Sequence, residues 1–167
     1  MAVVAIKSAQ VTNRDASPRV INNGRVVAGE KRALLDTVVI TSGDSIGSTY
    51  RVGSIPSRAV VLAVRVTSPD IGTTTAADIG LYRTTADAGA VVNAAFFASA
   101  VSLNGGALSK SDVTLESAVV SVANAAKPVW ENLSLTSDPS VDYDVTLTLT
   151  GAADATGTAL IEVEYVI

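Results

Sequence analysis

From Asp36 to the C-terminus, short runs rich in Val, Ile and Thr alternate with clusters of Gly, Pro, Asn, Asp and Ser. β-branched residues favour extended backbone and the cluster residues favour turns, so this spacing is typical of an all-β domain. Strands are predicted at residues 37–41, 49–55, 59–67, 79–84, 113–123, 143–150 and 158–166. We therefore predict a two-sheet antiparallel β-sandwich, and the pattern leaves jelly-roll and Greek-key connections both open.

The last two predicted strands alternate apolar and polar residues most strictly. In 143–150, Val and Leu interleave with Thr, and in 158–166 the apolar residues interleave with Glu162 and Glu164. A period of two indicates strands with one buried face. Because residues 151–157 form a short Gly- and Ala-rich linker, the two strands are predicted to pair as a terminal hairpin. The two glutamates are then expected to keep an otherwise apolar edge soluble.

Three other stretches depart from this alternation. The run VVLAV at 60–64 is continuously apolar, which predicts a strand buried on both faces. Residues 91–103 are rich in Ala and hold the two phenylalanines, which favours a short helix or a loop plugging one end of the sandwich. At 127–133, a Pro followed by apolar residues predicts a one-turn helix that lays Trp130 on the core.

Residues 1–34 show no sustained period and carry turn signals at 15–18 (DASP) and 22–24 (NNG). We predict an extended N-terminal arm at 1–34 and a sandwich domain at 35–167. Fully extended, the arm would reach roughly 110 Å, at about 3.3 Å per residue. An irregular segment packed on its own domain is the alternative, and the sequence leaves both open.

Charge is unevenly distributed along the chain. Residues 1–65 hold nine Lys or Arg and four Asp or Glu, whereas residues 66–167 hold three and twelve. A basic front and an acidic back favour association with a partner of complementary charge, including other copies of the chain. The basic residues are spaced singly, without interleaved aromatics, which argues against direct nucleic-acid binding. The longest nearly uncharged stretch, 88–108, is broken by Gly and Asn and does not predict a membrane span.

The strings that could carry chemistry each lack residues that catalysis or metal binding requires. GDSIG at 43–47 matches the G-x-S-x-G string of a nucleophile elbow, but the chain has no histidine to act as base, and no helical period follows. Asp138, Asp142 and Asp144 lack the spacing of an EF-hand loop and indicate a solvated turn. With no cysteine or histidine, the commonest metal ligands are also missing. We predict a non-enzymatic protein without cofactor-binding, metal or catalytic residues.

Several segments resemble one family of proteins. They are TNRDA at 12–16, GDSIGSTYR at 43–51, IPS at 55–57, DIGLY at 78–82, FASA at 97–100 and KPVW at 127–130. Together they resemble small β-rich virion proteins of tailed bacteriophages, regarded as head decoration or capsid cement proteins. The resemblance covers most of the chain, and its motifs are structural and carry no catalytic residue.

The resemblance implies a structural virion protein that is assembled in the host cytoplasm and binds the outer surface of the head. Its partners would be the major capsid protein and other copies of itself, as a trimer or dimer, without cofactor or membrane. From charge and reach, we predict that Arg14, Arg19 and Arg25 contact the capsid. The alternatives are a head–tail connector or tail component, and a tail-associated receptor- or glycan-binding module.

Overall fold

The computed structural model describes residues 6–117 and 119–167. The strands of this part are β1 Lys31–Ile40, β2 Thr49–Pro56, β3 Val60–Ser68, β4 Ala76–Arg83, β5 Val91–Ser102, β6 Leu108–Asp112, β7 Asp142–Leu149 and β8 Gly157–Val166. The helices are α1 Ala9–Asp15, α2 Gly24–Ala28 and α3 Val129–Asn132, with a 3₁₀ turn at Thr85–Asp87. The strands form two four-stranded sheets, ordered β1-β8-β3-β6 and β2-β7-β4-β5.

The first strand pairs with the last, the second with the second-last, and so on inward, and this pairing fixes the topology. β1 pairs with β8, β2 with β7, β3 with β6 and β4 with β5, all antiparallel, as in one long hairpin whose tip is residues 84–90. Rolling that hairpin places β8 beside β3 and β7 beside β4. This arrangement is a jelly roll, which confirms the predicted two-sheet antiparallel sandwich and decides between the two connections that the sequence left open.

The predicted terminal hairpin is wrong, because β7 and β8 lie in opposite sheets. Their inward residues, including Val145, Leu147, Ile161 and Val163, are fully buried and belong to one cluster between the sheets. Alternation of apolar and polar residues shows only that each strand has one buried face. Two strands that face each other across the core each have one buried face, and so do two strands that are hydrogen-bonded side by side.

Two of the predicted element types are also wrong. Residues 113–123 form turns where a strand was predicted, residue 118 lying outside the described part, and Val113 and Val120 point into the core from this loop. Residues 91–102 form the strand β5 where a helix or plug was expected. Phe96 and Phe97 are buried there with ring centroids 4.8 Å apart, edge to face. Packing between the sheets has overridden the helix propensity of the alanines in β5.

The short helix predicted near Trp130 is confirmed as α3, but a different side chain anchors it. Val129 is buried, whereas Trp130 is half-buried. The helix is tied to the turn between β2 and β3, because the N–H groups of Val129 and Trp130 donate to the carbonyls of Ala59 and Ser57 at 2.9 and 3.0 Å. The one-turn helix therefore seats its first residue, and not its tryptophan, in the core.

Burial of the apolar run in β3 is interrupted by a β-bulge. Val61 lies opposite Tyr165 and Ala63 opposite Glu164, so Leu62 is an extra residue without a partner. The bulge turns Leu62 outward, where 48% of the residue is exposed, while residues 60, 61, 63 and 64 are buried. Burial on both faces thus holds for four of the five residues.

The register places four loops, 41–48, 69–75, 103–107 and 150–156, at one end of the sandwich, which we call the loop end. Hydrogen bonds join these loops, as where the Thr73 N–H and hydroxyl donate to Asp154 at 2.9 and 2.6 Å. The opposite end, the arm end, carries residues 6–30, the turns 57–59 and 84–90, and the long segment between β6 and β7.

Gly80 tests the close approach of β4 and β5. A Cβ at this position would lie 2.1 Å from the carbonyl oxygen of Asn93 and 2.3 Å from backbone atoms of Ala94. We expect Gly80→Ala to lower the free energy of unfolding by about 1–3 kcal/mol, the usual effect of overpacking. Gly24→Ala is the matched control, because a Cβ there meets nothing within 4 Å. Urea unfolding measures both, and equal stabilities would contradict the proposed strand contact.

Candidate functional site

The N-terminal arm is folded on itself. Ser8 caps α1, and Asn23 caps α2 by accepting from the N–H of Arg25 at 3.0 Å. Between the helices, the Asn13 amide donates to the Asn22 side-chain oxygen at 2.9 Å. The described part of the arm therefore spans less than a fully extended chain would. Residues 1–5 of the predicted arm lie outside the described residues, and its residues 31–34 belong to β1.

The arm adds little to the core. From residue 6 to residue 30, every residue whose burial is described is exposed or half-buried. At its root, Gly29 fits closely against the sandwich, because a Cβ there would lie 3.1 Å from Cβ of Val166. A segment that buries so little of itself leaves most of its surface free for other molecules.

The three predicted contact arginines occupy two places on the arm. Arg14 and Arg19 line one cleft of about 240 Å³ between the helices, and Arg14 also pairs with Asp15 at 2.8 Å. Arg25 does not line that cleft and instead lies near Asp138 at the arm end. The pKa of Asp138 is lowered, first by the Ser57 hydroxyl, then by an N–H group, and more weakly by nearby cations including Arg25. Neither Arg19 nor Arg25 forms an ion pair within the described residues.

Exposed apolar side chains lie on the arm beside these cations. The sequence analysis did not predict that they would be exposed. Exposed fractions reach 92% for Ile21 and 88% for Ile6, and Val20 and Val27 are about half exposed. Isolated β-branched residues in a segment without period carry no signal that separates surface from core. The arm thus presents cationic and aliphatic groups together, a combination suited to a protein surface with acidic and apolar groups.

A ladder of ion pairs crosses the outer face of the first sheet. Lys31 pairs with Glu164 at 2.6 Å, Glu164 with Arg65 at 3.1 Å, Arg65 with Glu162 at 3.6 Å and Glu162 with Lys110 at 3.8 Å. The glutamates lie on β8, an inner strand, and not on an edge as the sequence predicted. Lys31 and then Arg65 hold the pKa of Glu164 below its ordinary value.

Arg51, within the GDSIGSTYR segment, ties the tip of the long hairpin to the second sheet. Its guanidinium donates to Asp144 at 2.6 Å and to the carbonyls of Arg83 and Gly89 at 2.7 and 2.8 Å. It also lies 5.5 Å from the ring centroid of Tyr82, within cation–π range. Arg51 therefore has a structural role.

The other residues considered for chemistry lie apart or already have structural partners. Ser45 sits in the loop between β1 and β2, where no helix follows. Asp138 accepts from Ser57, whereas Asp144 pairs with Arg51. Among residues 6–117 and 119–167, no group of three His, Cys, Asp or Glu side chains is placed to hold a metal ion. Nor does any helix in those ranges have the length and apolar character to cross a membrane.

Comparison with known proteins gives a match at the level of fold. No protein-family model matches the chain, and no curated protein matches it. A chain of the cyanophage Pam1 capsid asymmetric unit is similar in structure, with a TM-score of 0.50 and 17% identity over 99% of both chains. A chain from the acid-stable capsid of Helicobacter pylori bacteriophage KHP30 has a TM-score of 0.40 and 16% identity, over 83% of this chain and 92% of that one. The Pam1 similarity shows a shared fold.

Glu164 makes the ion-pair ladder testable by pH. Because its pKa is lowered in the folded state, its contribution is present above the ordinary glutamate pKa and is lost as the pH falls through the folded value. We expect Glu164→Gln to reduce the free energy of unfolding at pH 7, and the difference from wild type to shrink at about pH 3.

Glu116→Gln is the control for this experiment, because Glu116 is exposed and forms no ion pair in the part of the chain described. Urea unfolding at the two pH values measures each difference. A Glu164→Gln deficit of the same size at both values would show that the ladder does not act through this charge.

Proposed function

We propose that the chain is a structural protein of a phage virion that decorates the outside of the assembled head and stabilises contacts between capsomers. The observation that carries the proposal is the fold shared, over 99% of both chains, with a chain of the Pam1 capsid asymmetric unit. The jelly roll itself is an architecture that viral capsid proteins use. The resemblance of the sequence segments to decoration proteins points the same way.

The arm supplies the proposed contact with the major capsid protein. It has few contacts of its own to break, and it carries Arg14, Arg19 and Arg25 beside the exposed Ile21 and Val27. Apolar contact would supply affinity, and the arginines would select acidic surface and align the arm on it. The arm end then faces the shell and the loop end faces outward.

Stabilisation follows from binding to the assembled lattice alone. A copy that spans a boundary between capsomers must be released before the capsomers separate, so binding shifts the equilibrium toward the intact shell by mass action. This mechanism uses no catalytic group and no cofactor, in keeping with the proposal that the chain is not an enzyme. It requires only that the arm and sandwich contact different subunits.

A glycan- or receptor-binding role is less well supported. Carbohydrate sites use exposed aromatic rings as platforms, whereas Phe96, Phe97, Tyr82 and Tyr143 are buried here. The other aromatic side chains are half-buried: Tyr50, Trp130 and Tyr165. Within the described residues, no aromatic side chain is fully exposed as a platform for a sugar.

The arm hypothesis is tested with heads purified from the encoding phage after removal of this chain. We expect replacement of Arg14, Arg19 and Arg25 by Ala to weaken head binding about tenfold or more, because about 0.5–1 kcal/mol is typical of each exposed charge contact. Co-sedimentation at graded protein concentrations measures the occupancy. Deleting residues 1–28, which leaves β1 whole, is expected to abolish binding.

The control introduces Ser45→Asp, Ala107→Asp and Ala152→Asp, three exposed positions at the loop end, and so lowers the net charge by the same three units away from the shell. It is expected to retain head binding close to that of the wild type. Equal loss in both triple variants would mean that net charge and not the arm governs binding. Full occupancy by the arm-deleted chain would refute the arm as the contact.

A further inference from the structure

The four edge strands of the sandwich differ in how they are protected from pairing. β6 has five residues, and its Lys110 has a φ of 49°. β2 shifts register between Arg51 and Gly53 and ends at Pro56, and β5 shifts register against β4 at three places. β1 has ten residues, contains no Gly or Pro, and pairs with β8 without a shift. Within the described chain, β1 is thus the edge best formed to accept another strand.

The free side of β1 carries unpaired backbone groups. The N–H of Thr37 donates to the side chain of Asp36 at 2.8 Å, so it points away from β8. Backbone groups alternate sides along a strand. The N–H and C=O groups of Ala33 and Leu35 therefore face the open side as well, and 61% of Leu35 is exposed.

Charges on β1 are self-complementary about Leu34. Arg32 precedes Leu34 by two residues and Asp36 follows it by two, and neither side chain forms an ion pair in the described residues. An antiparallel pairing with a second copy, centred on Leu34, places Arg32 opposite the second copy's Asp36 and Asp36 opposite its Arg32. Opposite charges at directly facing positions stabilise a pair of strands.

We propose that β1 is a homodimer interface, at which two copies pair their β1 strands about a two-fold axis and join their first sheets into one continuous sheet. In this register Leu34 faces Leu34, Ala33 faces Leu35, and Lys31 faces Thr37. This register agrees with the open-side N–H groups, because the pairs that exchange main-chain hydrogen bonds across the interface, Ala33 with Leu35 and Lys31 with Thr37, consist of odd-numbered residues. When the dimer forms, the N–H of Thr37 exchanges the Asp36 side chain for a main-chain carbonyl as its acceptor. Asp36 then pairs with Arg32 of the second copy.

A second copy fits this edge better than a different protein would. Inward-pointing charges on an edge strand normally discourage pairing, because a foreign strand leaves them without partners. Only a strand with the opposite charges at the mirrored positions removes that penalty, and the chain's own β1 has them. The inference concerns association in solution and does not depend on head binding.

A charge swap tests the interface. We expect wild-type protein to sediment as a dimer, and Arg32→Asp or Asp36→Arg alone to raise the dissociation constant about tenfold or more by facing like charges. The double variant R32D/D36R restores opposite charges and is expected to restore the dimer. Both residues are exposed, and thermal unfolding checks that each variant is folded.

Hydrogen exchange supplies an independent readout on the same samples. The amides of Ala33, Leu35 and Thr37 are expected to be protected in the wild type and the double variant, and to exchange quickly in the single variants. A monomer or a trimer in the wild type would overturn the proposal. An oligomer that survives both single substitutions would overturn it as well, as would unprotected amides at these three positions in the wild-type oligomer.

Discussion

The two sheets are held together by aliphatic contact between their inner faces, on which the rest of the fold depends. Aromatic residues make up only 4% of the chain, so aliphatic side chains supply most of this contact. Each buried Val, Leu or Ile contributes about 1.5–3 kcal/mol relative to exposure, so the core needs many small contributions. Val113 and Val120 from the long segment after β6, and Val129 from α3, add to the same cluster.

Closing the core in this way determines which surfaces are free. The loop end is cross-linked by hydrogen bonds such as those from Thr73 to Asp154, and the outer face of the first sheet is occupied by the ion-pair ladder. The arm and the β1 edge carry exposed apolar groups, open backbone positions, and cations that form no ion pair in the described chain, namely Arg19, Arg25 and Arg32. Both proposals place intermolecular contacts on these surfaces: the arm with the shell, and β1 with a second copy.

Sequence patterns predicted the positions of individual strands better than they predicted which strands pair. Alternation in residues 143–150 correctly indicated a half-buried strand, but periodicity holds no information on which strand lies beside it, so the pairing was wrong. The alanines of β5 favour helix in isolation, and packing of Phe96 and Phe97 decided otherwise. Arg14, Arg19 and Arg25 could be singled out by charge, but only the structure shows that the first two share a cleft.

We propose above all that this jelly roll binds the outside of a phage head at junctions between capsomers. Electron cryomicroscopy of heads reconstituted with the purified chain tests that claim most directly. We expect jelly-roll density on the outer surface at those junctions, with the arm end toward the shell and the arm lying on it. Density confined to the tail vertex, density inside the shell, or heads left bare at saturating protein would contradict it.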